Sequence, residues 1–179
     1  ERDLEESVLA CKCRLDHLTG KAASYLKKQI KFAENQLEKL RTDIENIIKS
    51  NPELSAKFTL LKTYKGIGNK IASSLIAELP ELGTLNHKEI ANLCGVAPKT
   101  TESGQKISKS HVQGGRFYVR KSLYMAALVA SRYDHKMKEF YQKLISKSKP
   151  AKVALVAIMR KIIICLNAMI RDNKAYSGA

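Results

Sequence analysis

Apolar residues recur through the first part of the chain at alternating steps of four and three: Leu26, Ile30, Ala33, Leu37, Leu40, Ile44 and Ile47. That spacing puts them on one stripe of an α-helix, the a/d seam of a heptad pattern. The Lys, Glu, Gln and Asn residues between them suit the solvated remainder. Upstream, Leu4, Val8, Cys11, Leu15, Leu18 and Ala22 keep a similar seam, with Gly20 a break within it. Residues 1–51 therefore read as a coiled-coil or helical-hairpin arm, because the stripe outlasts what a small domain could cover.

Beyond this arm the pattern shortens. Asn51 can cap a helix, Pro52 suits its first position and Glu53 complements its dipole, so a short helix runs to about residue 64 and buries Leu54, Phe58 and Leu61. Lys65, Gly66, Ile67 and Gly68 break it, a second helix spans 69–79, and Pro80 stops that one. Asn86 and Glu89 have capping-box spacing and open a brief helix that ends at Gly95. Residues 95–114, punctuated by Gly95, Pro98, Gly104 and Gly114, read as a long loop, a length that points to function. Helix returns over 116–132, Asp134 can cap the next one, and Pro150 opens a long apolar helix to about 171. Strand alternation nowhere outlasts a few residues. The expected fold is all-α, with an N-terminal coiled-coil arm (1–51) followed by a compact helical domain (52–179). That domain holds a helix-hairpin-helix-like element at 58–79, a basic loop at 95–114 and core helices over 115–172.

Charge narrows the partner. Among 179 residues, 32 Lys and Arg stand against 17 Asp and Glu, a formal net charge of +15. Such self-repulsion is relieved by a polyanion, so nucleic acid is the expected partner. A membrane is not expected: the most apolar stretch, 153–170, carries Arg160 and Lys161 at its middle. The four cysteines, Cys11, Cys13, Cys94 and Cys165, have no zinc-site spacing and read as reduced thiols, the last two as small apolar residues. No secretory leader is visible, and a cytoplasmic protein is expected. Glu1, with no Met before it, suggests a cut N-terminus.

Two motifs carry candidate chemistry. The run 61–72 has an apolar helix, a Gly66-Ile67-Gly68 turn and a second helix with the small Ala72, the pattern of a helix-hairpin-helix element. Glycines at such a turn let the backbone approach a phosphate, while Lys65 and Lys70 flank it with charge. The second motif starts at Ala97. From Lys99 to Lys121 there are six basic residues (Lys99, Lys106, Lys109, Arg116, Arg120, Lys121) and one acid, Glu102. Were about five of these to touch phosphates, the log–log salt slope of binding would be roughly −4.

Four ordered stretches, GIGNKIASSLIAELPELG (66–83), IANLCGVAPKTTESG (90–104), ISKSHVQGGRFYVRKSLYMAAL (107–128) and KPAKVALVAIMRKIIICLNAMIRD (149–172), resemble the transposases of the insertion-sequence 110 (116/902) family over about residues 58–172. The N-terminal helix matches that family's coiled-coil insert more loosely. The resemblance implies a DNA transposase whose C-terminal domain supplies a serine that attacks DNA and becomes covalently linked to it. Ser103, followed by Gly104, falls in the matching segment and is the expected nucleophile. The family holds its acidic metal tetrad in an N-terminal RNase-H-like domain. No ordered acidic quartet is visible in these 179 residues, so the chain by itself is expected to be inactive, with a divalent metal (Mg) held in that other domain and no metal or cofactor here. The resemblance also leaves room for a guide RNA beside DNA, and for a homo-oligomer joined through the coiled coil.

Other residues compete less well. Ser108 and Ser110 share the loop, His111 reads as solvated, and Tyr118 and Tyr124 read as core residues because their neighbours are apolar. Lys149, Lys152, Arg160, Lys161 and Arg171 suit either backbone contacts or solvation. A non-catalytic DNA-binding and dimerisation module explains the charge, hairpin and heptads without chemistry. An RNA-chaperone-like reading is disfavoured by 6% aromatic content and no Trp.

Overall fold

A computed structural model describes residues 1–99, 102–103, 106–107 and 111–177. The chain folds into two compact units, Glu1–Pro52 and Glu53–Ala179. The fold is all-α.

The first unit is a pair of antiparallel helices, α1 (Arg2–Leu15) and α2 (Gly20–Ser50). Val8, Ile30 and Leu37 are buried between them, with Leu4, Cys11, Leu15, Leu26 and Ala33 packed alongside. Charged pairs set the register: Arg41 donates to Glu1 at 2.9 Å and to Glu5 at 2.7 Å, and Lys12 meets Glu34 at 2.7 Å. The seam on α2 is thus met within the chain by α1. Two expectations fail in detail. Leu18 is exposed beside the turn, and Ile47, expected on the seam, is 63% exposed while Ile48 is 6% exposed. Ile48 is not among the residues packed in the α1–α2 cluster, so the seam that α1 covers ends before this point of α2.

The second unit opens with α3 (Pro52–Lys62) and α4 (Asn69–Glu78). Helix α5 (His87–Leu93) starts with a complete capping box. Asn86 accepts from the Lys88 and Glu89 amides at 2.9 and 3.0 Å, and Glu89 accepts from the Asn86 amide at 3.0 Å. Helices α6 (Phe117–Tyr133), α7 (His135–Ser146) and α8 (Ala151–Asp172) complete it, with Asp134 capping α7 through the Met137 amide at 2.9 Å. Helix α8 is the core element, packed by α5, α6 and α7. It is long and apolar enough to cross a membrane, yet Ile158, Ile162, Ile163 and Leu166 are fully buried in this unit. Lys161 stays exposed with its ammonium 4.5 Å from the Phe140 ring centroid. Buried Asn167 accepts from the Gly83 amide at 2.8 Å and donates to the Leu85 carbonyl at 2.7 Å, stitching the α4–α5 connection to α8. Cys94 is also in this core, where burial pushes its thiol up to about 12.

Residues 95–114 are not simply a loop. β1 (Pro98–Lys99) pairs antiparallel with β4 (His111–Val112), and β2 (Glu102–Ser103) pairs antiparallel with β3 (Lys106–Ile107). The two ladders nest, with two residues between β1 and β2 and three between β3 and β4, so their registers differ by one. Strands two residues long carry too little alternation to be seen in a sequence. Each is held by the backbone groups of the opposing strand.

Candidate nucleic-acid interface

At the base of the paired strands, glycine backbones meet directly. Gly95 has φ +66°, and a Cβ there would stand 2.1 Å from the Gly114 carbonyl oxygen. Gly115 has φ +71°, and a Cβ there would stand 2.2 Å from the Gly95 nitrogen. No side chain fits between these segments, so only glycine permits the approach. The Arg116 amide donates to the Leu93 carbonyl at 2.9 Å, and the Arg120 guanidinium donates to the Gly114 carbonyl. The hairpin is therefore pinned where α5 ends and α6 begins.

Arg116 was expected to touch a phosphate, but its guanidinium is engaged within the fold. Nη1 donates to the Glu78 carbonyl at 2.8 Å and to Glu81 Oε2 at 2.6 Å, and Nη2 donates to Glu81 Oε1 at 2.6 Å. That bidentate hydrogen bonding holds the Glu81 carboxyl below its ordinary range and raises Arg116. Arg116 thus anchors the start of α6 to the end of α4. Lys121 is exposed one turn further on, and Arg120 is half-buried.

Above this base, Ser103 pairs with Lys106 on the inner ladder, and Lys99 pairs with His111 on the outer one. Gly104 and Lys109 lie outside the described residues, as do the alternative serines Ser108 and Ser110.

The α3–α4 turn is built differently from its sequence expectation. Gly66 has φ +104°, and a Cβ there would stand 2.8 Å from the Ala126 carbonyl oxygen, so this glycine lets the turn sit on α6. Gly68 caps α4 with open space around it, and Lys65 and Lys70 are exposed on either side. Lower on the same contact, the Ser74 and Ser122 hydroxyls are 3.3 Å apart. The turn is also tied from behind. Tyr64 is buried against Tyr176 with ring centroids 4.3 Å apart, the Tyr176 hydroxyl donates to Asp134 at 2.7 Å, and its amide donates to Thr63 at 2.9 Å. Burial, with the nearby Asp134 carboxylate, pushes both tyrosine hydroxyls well up, so they stay neutral donors.

Two tyrosines depart from expectation. Tyr118 and Tyr124 are exposed rather than core residues, because the α6 positions facing the core are Val119, Leu123, Ala126, Ala127 and Ala130. Apolar neighbours in sequence are not neighbours on a helix face.

A basic surface went partly unread. No Asp or Glu falls between Glu139 and Asp172. Within that span Lys143, Lys147, Lys149 and Lys152 cluster around the α7–α8 turn, all exposed, and among the described residues none has a carboxylate partner. Lys143 and Lys147 were missed; the acid-free run was the signal for them. Among the described residues, no three His, Cys, Asp or Glu side chains gather as a metal site.

Residues 58–142 match the model of the Transposase IS116/IS110/IS902 family. The chain is also similar to the pilin gene-inverting proteins of Moraxella bovis and Moraxella lacunata, each 30% identical over 168 residues, which is 91% of this chain and 52% of either relative. It thus spans about half the length of the curated relatives it matches. The transposase-family segment begins in α3 and ends in α7, so it takes in the α3–α4 turn, the strand that carries Ser103, the glycine contact and all of α6. The lysines of the α7–α8 turn fall just beyond it.

Proposed function

We propose that this chain is the DNA-handling part of a transposase, which grips duplex DNA through its exposed cations and presents Ser103 as the nucleophile for strand cleavage and exchange. The observation that carries the reading is the placement of Ser103 on the inner ladder of a hairpin whose base is locked by Gly95 and Gly115, within the segment matched by the transposase family. A short ladder on a rigid base can hold a hydroxyl toward a backbone phosphate with little loss of freedom when DNA arrives. Lys65, Lys70, Lys99, Lys106, Lys109, Arg120 and Lys121 supply the screening charge. Such contacts hold the sugar-phosphate backbone and carry no base sequence.

The chemistry is a transesterification. The Ser103 Oγ attacks a DNA phosphorus and gives up its proton, a phosphodiester P–O bond breaks, and the departing deoxyribose oxygen takes up a proton. The new phosphoserine link conserves the ester, so a hydroxyl on another strand can reverse the attack, join to the phosphorus and free the serine. A serine hydroxyl is a weak nucleophile at neutral pH and needs a base or metal. That activation would come from an acidic domain that holds Mg, the expected partner of this chain. The α1–α2 pair is the surface through which copies would associate, and a guide RNA is a further partner this reading accommodates.

The test uses the transposase with its acidic domain. Ser103→Ala should abolish covalent protein–DNA adducts on denaturing gels while DNA binding persists, and Ser108→Ala and Ser110→Ala should leave the adducts in place. Adducts that survive Ser103→Ala remove the nucleophile assignment and leave a DNA-binding module.

A further inference from the structure

The α7–α8 turn carries more positive charge than folding alone accounts for. Elsewhere the helices pair lysines with carboxylates: Lys12 meets Glu34 at 2.7 Å, Lys57 meets Glu53 at 2.6 Å and Lys49 meets Glu45 at 3.7 Å. Lys143, Lys147, Lys149 and Lys152 stand close together in an acid-free stretch, 140–171. Lys143 and Lys147 are four residues apart at the end of α7, a spacing at which like charges repel. Lys149 and Lys152 flank the start of α8, where the helix dipole is positive and the first turn holds no acid to offset it.

The turn is also well ordered. The Ser148 amide donates to the Ile145 carbonyl at 2.9 Å and the Lys149 amide to the Leu144 carbonyl at 3.2 Å, the two bonds of a Schellman cap. Ser148 takes the left-handed backbone that this cap requires, at φ 56°, and Pro150 fixes the step into α8. Lys147, Lys149 and Lys152 therefore hang on backbone already held in place, which reduces the ordering a ligand must impose.

We propose that the α7–α8 turn is a second contact for the sugar-phosphate backbone of a nucleic-acid duplex, separate from the α3–α4 turn. The proposal rests on the nucleic-acid reading above and adds a site to it. Residues 142–153 include no aromatic side chain, so nothing there stacks on an unpaired base and the surface reads charge alone. The fold sets the spacing of the two contacts. Lys65 follows Tyr64, whose ring packs on Tyr176, and the Tyr176 hydroxyl donates to Asp134, the cap of α7. The lysine turn stands at the other end of α7, 12 residues or about 18 Å away. A duplex that touches both turns spans about five base-pair steps of roughly 3.4 Å.

The test titrates the chain with duplexes of about 20 base pairs, one of DNA and one of RNA, following fluorescence anisotropy across a salt series. Lys147→Gln with Lys149→Gln and Lys152→Gln should lower the steepness of log Kd against log salt by about 2–3 and weaken binding at least about 10-fold near 0.1 M salt. The duplex that shows the larger loss is the one the turn holds. Arg at the same three positions should retain the slope, because charge makes the contact. Lys27→Gln with Lys31→Gln and Lys39→Gln removes equal charge from exposed positions of α2 and should leave the slope unaltered. The proposal is overturned if the two Gln triples act alike, since net charge alone would then set affinity, or if the Arg triple loses as much as the Gln triple. It is also overturned if the α7–α8 Gln triple keeps full duplex affinity and instead loses binding to phosphatidylserine vesicles. Duplex binding with a slope indifferent to this turn removes this inference alone, whereas a chain that binds no duplex at low salt removes the nucleic-acid reading with it.

Discussion

Replacing Gly95 with Ala tests whether the base of the hairpin is held by backbone contact. Two penalties combine at this position. The φ of +66° is left-handed, which costs an ordinary residue about 1–2 kcal/mol. In addition, the new Cβ would stand 2.1 Å from the Gly114 carbonyl oxygen, and forcing an atom into an already filled space costs about 1–3 kcal/mol more. Gly114→Ala separates the two effects, because Gly114 has φ +70° but nothing within 4 Å of a Cβ. The expected losses are therefore about 2–5 kcal/mol for Gly95→Ala and about 1–2 kcal/mol for Gly114→Ala. With a urea m-value of about 2 kcal/mol/M, the added crowding alone lowers the unfolding midpoint by about 0.5–1.5 M. Urea titration followed by far-UV circular dichroism measures the difference. Equal midpoints for the two variants would refute the reasoning, since the close approach would then contribute nothing beyond backbone conformation.

Two further expectations concern charge. Hydrogen bonding to Arg116 depresses the Glu81 carboxyl below its unfolded value of 4.5, so this pair stabilises the fold fully above that pH and loses its effect as pH falls through the lower native value. Glu81→Gln should therefore flatten the acid limb of the stability profile below about pH 4.5 and leave its shape at neutral pH unchanged, as followed by thermal melts across an acid series. Lys65→Gln with Lys70→Gln should reduce the steepness of log Kd against log salt by about 2 if each lysine meets one phosphate of a duplex. A slope unaltered within error would take the α3–α4 turn out of the interface.

The helices were legible in the residues because their causes are local. Capping by Asn86 and Glu89, the cap at Asp134, the openings at Pro52 and Pro150 and the breaks at Gly66 and Gly68 all act within a few residues of themselves, and the chain adopts each of them where it was expected. The excess of cations was equally plain. Tertiary structure decided what each glycine, tyrosine and arginine is for. Gly66 and Gly95 permit close approach to segments remote in sequence, Arg116 is engaged by Glu81, and Tyr118 and Tyr124 face outward. The two-residue ladders, including the one that carries Ser103, exist only because a second stretch of backbone lies opposite. A residue's type limits the contacts it can make. Which contact it makes depends on what the rest of the chain brings within reach, and no periodicity records that.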